Sequence, residues 1–111
     1  MVTSASNVVT LDLSSAQTFT LTVDEQVNSF KLTNPPSGST AFTVKILQDS
    51  TGYSVDIDTF NDSGGSSIPV YWPAAVTPEV TTTAEKTDIY SFMTFDGGSS
   101  LYGVEGGQNF A

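Results

Sequence analysis

The sequence lacks cysteine, histidine and arginine, and each absence removes a kind of chemistry. Without cysteine the chain has no disulfides and no thiolate metal ligands, which leaves its redox compartment open. Without histidine, a nucleophilic Ser or Thr would need a Lys or a carboxylate as its base, and no such arrangement is evident. We therefore expect a protein that is not an enzyme and that has no catalytic residues, no cofactor and no metal site.

Positive charge is also scarce, because three lysines stand against twelve acidic residues and the net charge is −9. Such a surface repels phosphates, since affinity for nucleic acids depends on cations that displace counterions. The longest apolar stretch, VYWPAAV at 70–76, is far shorter than the ~20 residues that span a bilayer. The N-terminal MVTSASNVVT has no basic residue and no long apolar run, so it does not resemble a signal peptide. We expect a soluble chain with neither a nucleic-acid partner nor a membrane partner.

What the chain does contain is short runs in which apolar and polar residues alternate. These runs are VVTLDL (8–13), TFTLTV (18–23), VNSFKLT (27–33), AFTVKILQD (41–49), YSVDID (53–58), VTTT (80–83), TDIYSFMTF (87–95) and LYGVEG (101–106). Period-two alternation is the pattern of strands, and its recurrence every eight to twelve residues or so is typical of sandwiches and small barrels. The sequence predicts an all-β fold, either a single antiparallel β-sandwich of jelly-roll-like type or a small barrel.

The order of the runs suggests how they pair. A first pair of runs precedes residue 34 and a second pair opens with AFTVKILQD (41–49), and each pair is predicted to be a hairpin. NPPSGST (34–40) is a turn between the pairs, NDSGGSS (61–67) is a loop, and the prolines of IPVYWP (68–73) restrict that run to a sheet edge. FTLTV and FTVKI are alike, but five residues favour chance over a true repeat. The predicted inward residues are Phe19, Leu21, Val23, Phe42, Val44, Ile46, Ile57 and Ile89.

The ends of the chain are predicted to lie outside the domain. Residues 1–7 are expected to form a flexible arm, residues 8–105 one β domain, and residues 106–111 a C-terminal arm. In that arm two glycines give the backbone freedom, two amides offer hydrogen bonds, and Phe110 is the single large apolar group. We expect the arm to dock on a neighbouring subunit; a frayed terminus is the alternative.

Two acidic patterns are candidate sites. Asp56 and Asp58, at alternate positions of a predicted strand, would project from one face about 6–7 Å apart, near the spacing of glycosidase carboxylates. A solvated strand face explains them better. DIDTFNDSGG (56–65) contains four oxygen donors, but their spacing departs from an EF-hand loop. Whether residues 56–62 bind calcium in an irregular site stays open.

Aromatic residues are the best candidates for contact with a partner, because exposed aromatic side chains are common anchors of interfaces. Most of them are expected in the core. The predicted partner-binding residues are Tyr71, Trp72, Tyr102, Gln108, Asn109 and Phe110. Subunits of charge −9 repel one another, so we expect an interface that is depleted of charge.

The C-terminal TDIYSFMTFDGGSSLYGVEGGQNFA resembles the closing module of virion structural proteins of tailed bacteriophages. LDLSSAQTFTLTV, NPPSGSTAFTVKILQDS and the central WP are similar to the same module, so the resemblance extends over about residues 8–111.

The resemblance implies one of two roles. The first is a capsid decoration, or cement, protein that binds the major capsid protein or other virion proteins on the outer shell as a symmetric homo-oligomer, with a trimer favoured. The second is a tail or tail-fibre component that binds a host receptor glycan. The shortness of the chain favours the first role. The acidic charge disfavours a place beside packaged DNA, so the expected location is the outer surface of the virion, after synthesis in the host cytoplasm.

Overall fold

The computed structural model describes residues 2–110, and within them the chain is built from β-strands and one short 3-10 turn. The strands are β1 Val8–Asp12, β2 Thr18–Val23, β3 Ser29–Thr33, β4 Thr40–Gln48, β5 Phe60–Asn61, β6 Ser67–Ile68, β7 Val70–Tyr71, β8 Thr87–Thr94 and β9 Leu101–Phe110. The 3-10 turn is Pro73–Ala75. The predicted all-β class is confirmed. None of the helices in the described residues has the length and apolar character needed to cross a membrane.

The strands form two mixed sheets, in the orders β1-β3-β5-β6 and β2-β4-β8-β9-β7. β1 pairs in parallel with β3, and β2 pairs in parallel with β4. Both predicted hairpins are therefore wrong, because consecutive strands from β1 to β5 alternate between the two sheets and the chain arches from one sheet to the other. Alternation fixes the side of a strand that is buried, but it does not identify the neighbouring strand.

The two similar segments, FTLTV and FTVKI, lie in neighbouring parallel strands. Their likeness would align Phe19 with Phe42, whereas the register sets Phe19 opposite Val44. A shift of two residues keeps the same side chains inward because a strand has period two. The segments are therefore neighbours in space, in a register that differs from the one their likeness suggests.

The last two strands form a hairpin, since β8 and β9 pair in antiparallel fashion around the DGGSS turn (96–100). Asp96 holds this turn by accepting hydrogen bonds from the Ser100 backbone N–H at 3.0 Å and the Ser100 hydroxyl at 2.7 Å. The register between β8 and β9 shifts near Ile89. The proline-flanked run is at a sheet edge as predicted, with the short strand β7 beside the start of β9.

The inner faces of the two sheets meet across an aromatic core. The ring centroid of Phe60, from the four-stranded sheet, lies 6.4 Å from Phe42 and 5.0 Å from Phe92, both from the five-stranded sheet. All the predicted inward residues except Ile89 are buried. Ile89 is only partly buried, because the inward residues of β8 are those of the opposite phase: Asp88, Tyr90, Phe92 and Thr94.

Two predicted strands are absent from the described residues. Residues 80–83 have no strand, and residues 53–58 have only an isolated bridge between Val27 and Val55. The buried Gln48 side chain supplies hydrogen bonds that a strand ladder would otherwise make. Its Nε2 donates to the carbonyl oxygens of Tyr53 and Thr81 at 2.7 and 2.9 Å, and its Oε1 accepts from the Tyr53 N–H at 2.9 Å.

The ends of the domain are more closely attached than predicted. β9 continues to Phe110, so residues 106–110 belong to the last strand and pair with β8. At the other end, the Val2 N–H donates to the Thr20 carbonyl at 2.8 Å, and Ala5 bridges to Val8. Residues 1 and 111 of the two predicted arms lie outside the described residues.

Candidate binding surface

An exposed aromatic and apolar surface lies on the outer side of the five-stranded sheet, where β7, β9 and β8 are adjacent. We call it the aromatic face and define it by Tyr71, Met93, Phe95 and Tyr102, which are 53%, 42%, 60% and 46% exposed. Tyr102 is central, because it is the strand partner of both Tyr71 and Met93. Its ring centroid lies 5.4 Å from that of Tyr71 and 5.7 Å from that of Phe95.

The outer side of this sheet has very little charge. Within the nine strands the only carboxylates are Asp12, Asp88 and Glu105, and Asp88 points inward. The other acidic residues lie in loops. The outward strand positions of the five-stranded sheet therefore contain one charged side chain, Lys45, because Glu105 is paired with the inward-facing Tyr90, although it is itself exposed. A protein of charge −9 thus has one face on which apolar groups are exposed and carboxylates are almost absent.

Trp72, a predicted contact residue, lies mainly in the core. It is 8% exposed, and its ring meets Phe92 edge-on with the centroids 5.6 Å apart. Its indole Nε1 donates to Asp58 Oδ1 at 2.7 Å. The ring lies over Gly103, where any side chain would collide with it. Trp72 therefore supports the exposed aromatic residues from beneath, and its contact with a partner stays a prediction.

Two shallow hollows flank Trp72. One, of about 300 Å³, is lined by Tyr71, Trp72, Pro73, Tyr102, Gly103 and Val104. The other, of about 290 Å³, is lined by Trp72, Pro73, Val76, Pro78, Val104 and Glu105. They share Trp72, Pro73 and Val104, so together they form a continuous depression along β9.

The predicted C-terminal contact residues are engaged within their own chain. Gln108 Nε2 donates to the Glu79 carbonyl and to the Tyr90 hydroxyl, each at 2.6 Å. The Asn109 N–H donates to Asp88 Oδ1 at 2.8 Å. Phe110 is 47% exposed, and its ring lies against Gly107 of the same strand. Docking of these residues on a neighbouring subunit stays a prediction.

Asp88 and Tyr90 form the buried polar network to which the end of β9 is attached. Asp88 is 2% exposed, and its Oδ2 accepts from the Tyr90 hydroxyl at 2.9 Å and from the Thr81 N–H at 2.7 Å. Burial raises the pKa of Tyr90 well above its usual range; the hydrogen bond from Gln108 lowers the pKa, and the one to Asp88 raises it. With its acceptors occupied, the network fastens the last strand rather than offering a reactive group.

The acidic candidates have structural roles. Asp56 Oδ1 accepts from the Asp58 N–H at 2.9 Å in a local turn, while Asp58 holds Trp72. They are not alternate residues of one strand, so the strand placement predicted for them is wrong. Asp62 Oδ1 accepts from the N–H groups of Gly64 and Ser66, each at 2.9 Å, and closes the turn between β5 and β6. Across residues 2–110, no group of three or more acidic side chains is arranged to hold a metal ion.

A further hollow, of about 380 Å³, lies between the 62–68 loop and the 97–99 turn. Its lining includes Ser63, Ser67 and Ser99, the glycines of both turns and the Asp62 already described. It contains no aromatic side chain, so the depression along β9 remains the better candidate for binding a partner.

Two of the four residues of the aromatic face were predicted from the sequence as contact residues. Tyr71 and Tyr102 were predicted and are exposed side by side, whereas Met93 and Phe95 were missed. The signal for both was the phase of β8: once Tyr90 and Phe92 point inward, Met93 must point outward.

Comparisons with protein-family models, with curated proteins and with solved structures gave no match to this chain. The resemblance to virion proteins of tailed phages therefore stays an expectation drawn from the sequence.

Proposed function

We propose that this chain is a non-enzymatic structural protein of a tailed-phage virion, which decorates the outer capsid shell as a symmetric oligomer bound to the major capsid protein. The observation that supports the proposal is the aromatic face, an exposed apolar surface with almost no carboxylates on a protein of charge −9. Within this proposal the two facing sheets are grouped with jelly-roll-like sandwiches, although their strands are mixed.

The distribution of charge explains why this face suits assembly. Carboxylates are costly to bury at an interface unless they are paired, and this chain has few cations to pair them. Aromatic side chains give large contact areas at little conformational cost, and a few of them supply most of the energy of an interface. Because the loops hold most of the negative charge, the virion's outer side suits the chain better than a place beside DNA.

The test uses variants of the aromatic face that leave the core intact. Tyr102→Ser and Phe95→Ser remove two exposed rings, and Thr10→Ala, on the exposed side of β1, is the control. Added to particles that lack the protein, each aromatic variant should bind about 10–100-fold more weakly than wild type, the usual effect of losing an aromatic anchor. Unchanged occupancy by both variants would refute the role of this face.

Self-association is tested separately by sedimentation of the pure protein at low and high salt. Repulsion between subunits of charge −9 is screened by salt, so the proposed trimer should be favoured at high salt. A monomer under both conditions would contradict the oligomer without deciding on capsid binding.

The second candidate is a tail or tail-fibre component that binds a receptor glycan. The observation that favours it is the pair of tyrosine rings, Tyr71 and Tyr102, beside a hollow of about 300 Å³. The C–H groups of a sugar ring can pack on the tyrosine rings, while the tyrosine hydroxyls form hydrogen bonds with the sugar. The number of copies in purified particles separates the two roles, since hundreds would indicate the capsid and a handful the tail.

A further inference from the structure

β9 pairs with β8 along one edge and, in the described part of the chain, its other edge is unpaired along most of its length. β7 pairs only with Leu101 and Tyr102, and residues 2–110 contain no other strand on that side. The Leu101 N–H donates across this edge to the Pro69 carbonyl at 2.9 Å. Since backbone groups alternate in direction along a strand, those of Gly103 and Glu105 face the same edge. An open strand edge is a template for pairing with another strand.

The segment beside this edge does not close it. Pro73 and Pro78 have no N–H to donate, and Ala74 and Ala75 adopt φ values of 55° and 57°. This left-handed conformation costs a non-glycine residue about 1–2 kcal/mol. It turns Val76 out to solvent, where it is 67% exposed. Residues 73–78 therefore stand away from β9 and leave the hollow of about 290 Å³, which we call the edge groove.

The lining of the edge groove specifies the chemistry of its occupant. Five of its six side chains are apolar, and the sixth is Glu105, which is exposed. None of the three lysines lines the groove. A second copy of the chain fits poorly, because two subunits of charge −9 would share an edge that contains Glu105 from each. An extended apolar segment with one cationic residue complements the groove in both shape and charge.

We propose that the edge groove binds an extended segment of a partner protein, which adds a strand along β9 from Gly103 and places a Lys or Arg beside Glu105. Main-chain bonds to the strand edge provide affinity, and the side chains of the segment provide specificity. None of the four side chains of the aromatic face lines the edge groove, although the groove adjoins the hollow beside Tyr71 and Tyr102. The proposed site therefore goes beyond the proposed function.

The first experiment selects from a displayed library of random dodecapeptides on the immobilised full-length protein. Wild type should enrich peptides that alternate apolar residues and contain Lys or Arg. Selection on Glu105→Lys should enrich Asp or Glu instead, whereas Asp24→Lys, which makes the same charge change in an exposed loop, should behave as wild type. Failure to enrich any peptide, or the same charge preference on all three proteins, would overturn the proposal.

The second experiment tests strand addition with one enriched peptide. Methylation of every other backbone nitrogen removes the N–H groups on one side of the peptide strand. One methylated set should weaken binding at least about tenfold, the loss of one or two main-chain hydrogen bonds, while the complementary set should bind as the parent does. Equal effects of the two sets would exclude pairing along β9.

Phe95→Ser separates the site from the proposed function. Because Phe95 does not line the edge groove, this variant should bind the peptide within about twofold of wild type even if it no longer binds particles. If Glu105→Lys instead increases self-association in sedimentation and abolishes peptide selection, the occupant of the edge is a second copy of the chain and the inference is wrong.

Discussion

Replacement of Gly103 by Ala tests the packing that supports the aromatic face. A Cβ atom at this position would lie 2.5, 2.7 and 2.9 Å from three carbons of the six-membered ring of Trp72. Trp72 cannot easily move, because it is 8% exposed, packs edge-on against Phe92 and donates to Asp58 at 2.7 Å. The added methyl group must therefore displace either the ring or β9.

The expected cost follows from two opposing effects. Overpacking of a rigid site costs about 1–3 kcal/mol, and the overlap with ring atoms points to the upper part of that range. Replacing a strand glycine by Ala recovers about 0.5–1 kcal/mol of conformational entropy. We therefore expect the free energy of unfolding to fall by about 2 kcal/mol, a large share of the 5–15 kcal/mol typical of a domain.

The assay is urea unfolding followed by circular dichroism, because Trp72 is the only tryptophan and its fluorescence is lost in one variant. Trp72→Phe shortens the side chain that meets the new methyl group. In that background Gly103→Ala should cost less than about 1 kcal/mol, so the two changes couple by at least about 1 kcal/mol. A neutral Gly103→Ala, or additive effects of the two changes, would refute the predicted contact.

Three further predictions concern the fold and its titration. Because burial raises the pKa of Tyr90 above its unfolded value, the contribution of Tyr90 to the free energy of unfolding is complete below about pH 10 and is lost as the pH rises further. Above that pH the free energy of unfolding should therefore fall less steeply with pH in Tyr90→Phe than in wild type, and equal slopes for the two proteins would contradict this. Hydrogen bonds from Ser100 lower the pKa of Asp96, so Ser100→Ala should raise that pKa toward 3.8 in an NMR titration, whereas an unchanged value would mean that the bond has no effect in solution. Gly52 and Gly38 share a φ of +84°, but only at Gly52 would a Cβ collide with the Thr82 carbonyl oxygen. Gly52→Ala should therefore destabilise the protein by about 2 kcal/mol more than Gly38→Ala, and equal losses would show that backbone conformation alone matters.

Alternation in the sequence was sufficient to predict the buried side of β2 and β4. In β8 it was not, because apolar residues occupy both phases: Ile89 and Met93 in one, Tyr90 and Phe92 in the other. The inward phase also contains Asp88, which the sequence alone disfavours in a core. The structure permits it because three hydrogen bonds satisfy the Asp88 carboxylate.

The candidate site was predictable only where exposure depends on strand geometry. Tyr71 lies at an edge that the neighbouring prolines indicated, and Tyr71 and Tyr102 are both exposed; their contact with a partner stays a prediction. The burial of Trp72 depends on Asp58 and on the space above Gly103, and both are remote from it in sequence. The parallel pairing of β1 with β3 could not be predicted either, because arches and hairpins require the same alternation of side chains.

The connections that cross from one sheet to the other also determine when the protein can fold. Among β1 to β4, each strand pairs with the strand two places away along the chain, and the strand between them lies in the opposite sheet. Val8 thus pairs with Ser29, and Thr18 with Thr43. Such distant pairings are slow, because loop closure costs entropy before any contact forms. β4 also needs β8 on its other side, and β8 needs β9. On the ribosome the first four strands therefore emerge before either of their two sheets can be completed. Folding of the five-stranded sheet must wait for β9, and until then the apolar sides of β2 and β4 depend on the speed of synthesis or on chaperones for protection from aggregation.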